Sequence, residues 1–236
     1  MKIFAKIRFY WGAFVIAFIV AFLMIPLVTL LPNYKSILLH RLNRMILFLL
    51  GGKLAQVGEI DSGADMILMN HQGIVDIIGL EALQANHLRW IAKKELFSMP
   101  WFGLLLKNSD MISVDRENKA GLVKLIKDVK ESVEVKNRAV ALFPEGTRAG
   151  GQELLPFKVG AKFVAEKLGL KVQPVVITGS KYLLSELEKT AHSSVVKYIF
   201  LPTIDVKEAS GEWYKEMRQT MQKVIDDELA HNHSSR

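Results

Sequence analysis

Hydrophobic and polar positions divide the chain into two unlike parts. From Trp11 to Leu31 the sequence WGAFVIAFIVAFLMIPLVTLL carries no charge over 21 residues. At about 1.5 Å per helical residue this run matches roughly the 30 Å hydrocarbon thickness of a bilayer. It is longer than the apolar region of a cleaved signal peptide, and no small-x-small pattern precedes LPNYKS, so a retained membrane segment is expected. Pro26 is expected to interrupt it. The next stretch, SILLHRLNRMILFLLGG at 36–52, is amphipathic with basic residues on its polar side, the pattern of a helix in the headgroup region. Basic residues flank both ends of the first segment, and a simple span would leave one positive cluster on the disfavoured side. The pattern favours a bent two-helix hairpin embedded from the cytoplasmic face. A spanning helix followed by an ordinary core helix is the other reading.

Beyond Lys53 the pattern changes to short apolar runs separated by helical periodicities. Strands are expected at 65–70, 87–93, 110–115, 138–143, 172–177 and 197–201, and helices at 74–85, 94–107, 117–136, 156–168 and 212–230. In the last of these, Trp213, Met217, Met221, Val224 and Ile225 form one apolar stripe, as in a helix packed on a core. The alternation of strand and helix predicts an α/β fold, a mostly parallel central sheet flanked by helices, carrying an N-terminal two-helix membrane anchor. The expected division is residues 1–54 for the anchor and 55–236 for the α/β domain. The polar ending HNHSSR reads as a frayed terminus rather than a metal site.

Charge sharpens the picture by its location. The formal net charge is +7, yet Lys2, Lys6, Arg8, Lys35, Arg41, Arg44 and Lys53 all precede the first acidic residue, Glu59. The remaining 24 basic residues equal the 24 acidic ones. The body therefore lacks the basic excess of a nucleic-acid binder, and no nucleic-acid partner is expected. There is no cysteine, which removes disulfides, thiolate metal sites and an enzyme-bound thioester.

Candidate chemistry lies where the expected strands end, the usual place for ligands in α/β sheets. In MNHQGIVDI, His71 follows a strand and Asp76 falls in the first helical turn, where unpaired N–H groups favour a carboxylate. The two side chains could meet, with Asp76 fixing the imidazole tautomer so that the other nitrogen takes a proton from a hydroxyl. Judged alone, the pair also reads as a strand end and an unrelated helix start. In ALFPEGTRAG, Gly146 permits unusual backbone angles and Arg148 offers a planar fork suited to phosphate; Glu145 could orient Arg148 or bind a hydroxyl. A turn with a surface arginine is the plainer reading. Lys93 and Lys94 follow a strand and provide a second possible phosphate contact, or a solvated pair. Asp115 and Arg116 follow another strand, where an exposed ion pair is the default. Backbone N–H groups at the start of the 74–85 helix are candidates for stabilising an oxyanion. No nucleotide-binding glycine loop, G-x-S-x-G elbow or H-E-x-x-H zinc motif is present.

The ordered set NHQGIVD, IAKKEL, SVDR, FPEGTR and VQPVVI, behind a hydrophobic N-terminus, resembles the bacterial 1-acyl-sn-glycerol-3-phosphate acyltransferases of the glycerolipid acyltransferase family over residues 55–205. The resemblance implies that family's fold and an acyl transfer to the sn-2 hydroxyl of lysophosphatidic acid, giving phosphatidic acid without an acyl-enzyme. It implies that His71 is the general base and that Asp76 orients it. It further implies that Glu145, Gly146, Thr147 and Arg148 hold the glycerol phosphate, Arg148 being the phosphate ligand, with Lys93 or Lys94 second and Arg116 third. Acyl-CoA or acyl carrier protein would be the co-substrate, with no cofactor and no metal. Membrane lipids would be the partners, at the bacterial inner (cytoplasmic) membrane with the catalytic domain on the cytoplasmic side. Two departures stand out: the segment before VDR often holds a glycine where this chain has Ser109 or Asp110, and Ala149 replaces a frequent serine. Pro174, Val175 and Val176 match the last motif and read equally as acyl-pocket wall or buried strand. Rival readings are an acyltransferase with another acceptor (glycerol 3-phosphate, another lysophospholipid or a lyso-aminolipid), an idle lipid-binding protein, and a metal-dependent hydrolase using His71, Asp76 and Glu145.

Overall fold

The structure is a computed structural model and describes residues 2–84, 88–115 and 119–232. Helix α1 (Lys2–Phe18) runs through a π-helical segment (Ile19–Met24) into α2 (Ile25–Leu30). The result is one helix of 29 residues, long and apolar enough to cross a membrane. Pro26 does not interrupt it, contrary to the expectation from sequence. The wider π turns just ahead of the proline absorb the clash its ring makes with the preceding turn, and the backbone stays right-handed helical at Met24 and Ile25. After a 3-10 turn (Pro32–Tyr34), α3 (Lys35–Leu50) folds back and ends at Gly51, whose φ of 75° makes a left-handed cap.

The two arms have two kinds of apolar surface. Val15, Ile19, Met24 and Val28 from the first arm, with Leu39, Ile46 and Leu47 from α3, are buried in one core with Ile67, Met69 and Ile177. On the outer side Trp11, Phe14, Phe18 and Phe22 are exposed and follow one another with ring centroids 6.1, 5.8 and 5.1 Å apart. The hairpin therefore covers the body while presenting an aromatic stripe outward.

The body contains helices α4 (Ile74–Leu83), α5 (Phe102–Asn108), α6 (Lys119–Lys130, continued by a π turn over Glu131–Val135), α7 (Val159–Leu168), α8 (Ser180–Leu183) and α9 (Trp213–Asn232). Its strands are β1 (Gly52–Val57), β2 (Met66–Met69), β3 (Arg89–Lys93), β4 (Ile112–Val114), β5 (Val140–Leu142), β6 (Lys171–Thr178), β7 (Leu184–Ser185), β8 (Thr190–Ala191), β9 (Ser194–Phe200) and β10 (Ile204–Asp205). Among the described residues the main sheet has the order β1-β9-β6-β2-β5-β3-β4, with the short β10 on β6. The strands from β6 to β4 are all parallel. β9 meets β6 antiparallel, and β1 runs parallel to β9. The fold is thus α/β with a mostly parallel sheet between helical layers. Strand periodicity separates the layers: in β2, Ile67 and Met69 face the hairpin, α4 and α5, while Met66 and Leu68 face α6, α7 and α9.

Two local departures from the pattern have plain causes. The helix expected over 94–107 is split into a 3-10 turn (Lys94–Ser98) and α5, because Pro100 disfavours helix before it and Trp101 takes a positive φ of 62°. Asp110 also has a positive φ, 61°. Its side chain ties this turn into an ionic cluster. Arg89, itself buried, donates to the Asp110 carbonyl at 2.8 Å, while Lys136 and Arg138 donate to its carboxylate at 2.8 and 3.1 Å. Expectations for residues 85, 87, 117 and 118, at element ends, lie outside the described residues.

Burial pushes the Asp110 carboxyl up, but the hydrogen bond from Lys136 and the charges of Arg89, Lys136 and Arg138 outweigh it and hold the group below its ordinary value. A depressed carboxyl contributes stability that is present above the unfolded-state pKa of about 4 and is lost as pH falls through the folded value. Asp110→Asn is therefore expected to be less stable than the parent at pH 7 by roughly 1 kcal/mol, since the carboxylate is partly exposed and its ion pairs are screened by solvent. The gap should narrow below about pH 4, where the parent loses the same charge. Thermal melts of both proteins across pH 3–7 check this; a constant gap would refute it.

Candidate active site

The order β2-β5-β3-β4 aligns the loops after four parallel strands along one edge of the sheet. At the end of β2 the ladder is extended by a side chain: Asn70, fully buried, donates to the Ile177 carbonyl at 2.8 Å and accepts the Ile177 N–H at 2.7 Å. The next residue, His71, is thereby held at the carboxyl edge.

Asp76 is fully buried in the first turn of α4. Its Oδ2 accepts from the Gln72 N–H at 2.6 Å, the Gly73 N–H at 2.9 Å and His71 Nδ1 at 2.9 Å. The bond from Gly73 is half of a capping box, so the carboxylate that meets His71 is fixed by the start of its own helix. With Nδ1–H directed at a carboxylate, Nε2 is the nitrogen left to accept a proton. The imidazole stacks on Phe143, centroids 3.7 Å apart and planes 13° apart, and Trp90 lies behind Phe143 at 5.6 Å. Trp90 Nε1 in turn donates to buried Glu81 at 2.7 Å.

The FPEGTR loop follows β5, the neighbour of β2. Gly146 there has a φ of 74°, and its N–H closes the turn on the Phe143 carbonyl at 3.0 Å. Glu145 is buried; its Oε1 accepts the His71 N–H at 3.0 Å and its Oε2 the Leu155 N–H at 2.7 Å. The Ala149 N–H donates back to the His71 carbonyl at 2.9 Å. The loop therefore grips the His71 backbone on both sides. The carboxylate ion-paired with Arg148 is that of Glu186, in the β7–β8 turn, a residue no local signal marked. Burial pushes the Arg148 guanidinium below its ordinary value, while the charge of Asp76 pulls the other way.

Of the N–H groups around the start of this helix, suggested as oxyanion donors, those of Gln72, Gly73 and Ile74 already have acceptors. Gln72 and Gly73 donate to Asp76, and Ile74 donates to Glu186 at 2.9 Å. Beneath α4, fully buried Tyr198 donates to the Asp76 carbonyl at 2.9 Å. Burial first, then the charge of Asp76, push its pKa well up, so it remains a donor. A Cβ at Gly79 would lie 2.0 Å from the Tyr198 oxygen, so the glycine is what admits the ring.

A cavity of about 1430 Å³ connects these groups. Its polar wall includes His71, Lys93, Thr147, Arg148 and Glu186. Lys93 lines it, whereas Lys94 pairs with Asp115 at 3.1 Å. Arg116 lies outside the described residues. The apolar walls come from both sides of the sheet: Ile16, Val20 and Met24 of the hairpin, and Leu122, Leu125 and Val164 of α6 and α7. The sheet itself allows this. β3 pairs with β5 only at Arg89 and Trp90, and from Ile91 onward it pairs with β4, so β3 and β5 part at their carboxyl ends. Val175 and Val176, by contrast, are fully buried within β6.

A family model described as Acyltransferase matches residues 58–178. A 1-acyl-sn-glycerol-3-phosphate acyltransferase of Helicobacter pylori (strain J99) is 41% identical over 186 residues, 78% of this chain and 77% of that one. The chain belongs to the acyltransferase family. Another relative of the family, the 1-acyl-sn-glycerol-3-phosphate acyltransferase of Escherichia coli (strain K12), is 28% identical over 71% of this chain and 68% of its own. The crystal structure of the 1-acyl-sn-glycerophosphate (LPA) acyltransferase from Thermotoga maritima shares the fold, with a TM-score of 0.80 over 98% of both chains at 21% identity.

Proposed function

We propose that this acyltransferase moves a fatty acyl group from an acyl thioester to the sn-2 hydroxyl of 1-acyl-glycerol 3-phosphate, forming phosphatidic acid. The observation that carries the reading is the His71–Asp76 pair, joined at 2.9 Å, on the wall of a largely apolar cavity that also holds Arg148 and Lys93. His71 Nε2 takes the hydroxyl proton as the oxygen attacks the thioester carbonyl carbon. The tetrahedral intermediate collapses, the C–S bond breaks, and the leaving thiolate takes the proton from the imidazolium. Asp76 keeps Nδ1 protonated and offsets the positive charge that forms on the ring. Arg148 and Lys93 supply the positive charge for the phosphate, Gly146 and Thr147 the turn that presents Arg148, and Glu145 the clamp beneath it.

Acyl-CoA or acyl carrier protein is the proposed donor, and the reaction as written uses no cofactor or metal. Glu145 commits its two oxygens to backbone N–H groups, which argues against a His71–Asp76–Glu145 metal triad. A fully oriented base–carboxylate pair, its aspartate buried and its imidazole on the cavity wall, argues against an idle lipid-binding protein. The exposed aromatic stripe of the N-terminal helix supports residence at a membrane, and the hairpin residues Ile16, Val20 and Met24 on the cavity wall offer lysolipid an apolar way in; the bacterial inner membrane, with the site on the cytoplasmic side, is the proposed location.

Purified protein in micelles, given both donors and a panel of lysolipid acceptors, tests the reading. Phosphatidic acid is the expected product; no transfer to 1-acyl-glycerol 3-phosphate from either donor would overturn it. Arg148→Ala is expected to raise KM for that acceptor about 10- to 100-fold, the usual scale for one charge-assisted contact to a phosphate. An unchanged KM would remove Arg148 from the phosphate site.

A further inference from the structure

Glu186 joins two anion donors on the wall of the cavity, the Ile74 N–H and Arg148. Its Oε1 accepts the Ile74 N–H at 2.9 Å, at the start of the ten-residue helix α4, and its Oε2 is ion-paired with Arg148 Nη1. The carboxylate lines the cavity, and its side chain is only 24% exposed. A backbone N–H at a helix start together with a guanidinium is the donor set that a phosphate oxygen seeks. Next to it lies Gly73, where even an added Cβ would still be 3.7 Å from Glu186 Oε1.

We propose that Glu186 is an internal competitor for the acceptor's phosphate: its carboxylate occupies the subsite formed by Arg148 and the Ile74 N–H, and a phosphate monoester binds by displacing it. This rests on the reading of Arg148 as the phosphate ligand and adds the Ile74 N–H as its second donor. The displacement needs little movement. Residue 186 sits in the turn directly after a strand of two residues, so a short connection carries it rather than the interior of the sheet. The turn stays attached meanwhile, because Lys181 donates to the Gly150 carbonyl at 2.9 Å and pairs with Glu188 at 3.3 Å.

A competitor of this kind lowers apparent affinity by the fraction of time it leaves the subsite open, and by the same factor for every phosphate that binds there. Glu186→Gln keeps the shape and removes the charge. Inhibition by inorganic phosphate and KM for 1-acyl-glycerol 3-phosphate are measured on the full-length parent and on this variant in micelles. Both constants should fall together, by about fivefold for a half-exposed ion pair. Inorganic phosphate at a fixed concentration should also raise Tm more in Glu186→Gln than in the parent, a readout that needs no turnover. Unchanged or raised constants, or an equal phosphate-induced Tm shift, would overturn the proposal and make Glu186 a simple orienter of Arg148. Absence of acyl transfer by the parent would instead refute the proposed function, and the Tm comparison would still decide whether Glu186 competes with phosphate.

Discussion

His71→Ala is expected to lower acyl transfer by about 10³-fold or more while leaving the fold intact, within the range known for a positioned general base. The side chain is suited to such a test. Its ring stacks on Phe143 and its Nδ1 meets Asp76, but the segment is held by backbone and neighbouring side-chain bonds: Glu145 and Ala149 grip the His71 main chain, and Asn70 fixes the preceding residue to β6. Thermal melts and circular dichroism should therefore stay close to the parent while turnover collapses. Asp76→Asn separates orientation from charge. An amide oxygen in the place of Oδ2 can still accept from Gln72, Gly73 and His71, so that geometry is kept while the charge opposite the imidazolium is lost and an amide NH2 takes the buried place of Oδ1. A loss of about 10²-fold in kcat is expected, smaller than for His71→Ala. Parent-like turnover in His71→Ala would dismiss the base; parent-like turnover in Asp76→Asn would limit Asp76 to a helix cap.

Removing residues 1–54 is expected to abolish folding. From sequence alone the same deletion should cost membrane binding before it costs chemistry, since the segment reads as an anchor. In the structure the hairpin is also one wall of the core: Val15, Ile19, Met24, Ile25, Val28, Leu39, Ile46, Leu47 and Leu50 are all buried against the sheet and α4. At about 1.5–3 kcal/mol for each such side chain, the burial lost is as large as or larger than the roughly 5–15 kcal/mol that holds a domain folded. The deletion also removes the start of β1, the strand that pairs with β9. Circular dichroism and size-exclusion chromatography of the truncated chain, purified in detergent, check this. A monodisperse, cooperatively melting product would show that the body stands without its cover.

Strand and helix placement in the body was legible because burial on a sheet face imposes a period of two, and on a helix a period near 3.6, within a few residues of chain. β2, β6 and α9 appear close to the expected limits for that reason. The short segments were less legible. β1 has a mixed burial pattern, and β7 and β8 are two residues each, too short to display any period. The effect of Pro26 was misread because a proline signals only what it forbids locally; the π turns that accommodate it are a property of the helix around it.

By itself the sequence determined the α/β class, the apolar N-terminal segment, and the presence of His71, Asp76 and the FPEGTR turn in a family-like order, because each of these is encoded by neighbouring residues. Even the His71–Asp76 contact is local, five positions apart and set by one helix start. Tertiary structure alone decided what surrounds that pair. The strand order brings residue 145 to residue 71 across 74 positions, places Tyr198 under α4 against Gly79, and carries Glu186 to Ile74 across 112. It also parts β3 from β5, opening the cavity to both faces of the sheet. These contacts depend on which strands pair, a choice fixed by packing over the whole chain and written in no single stretch of it.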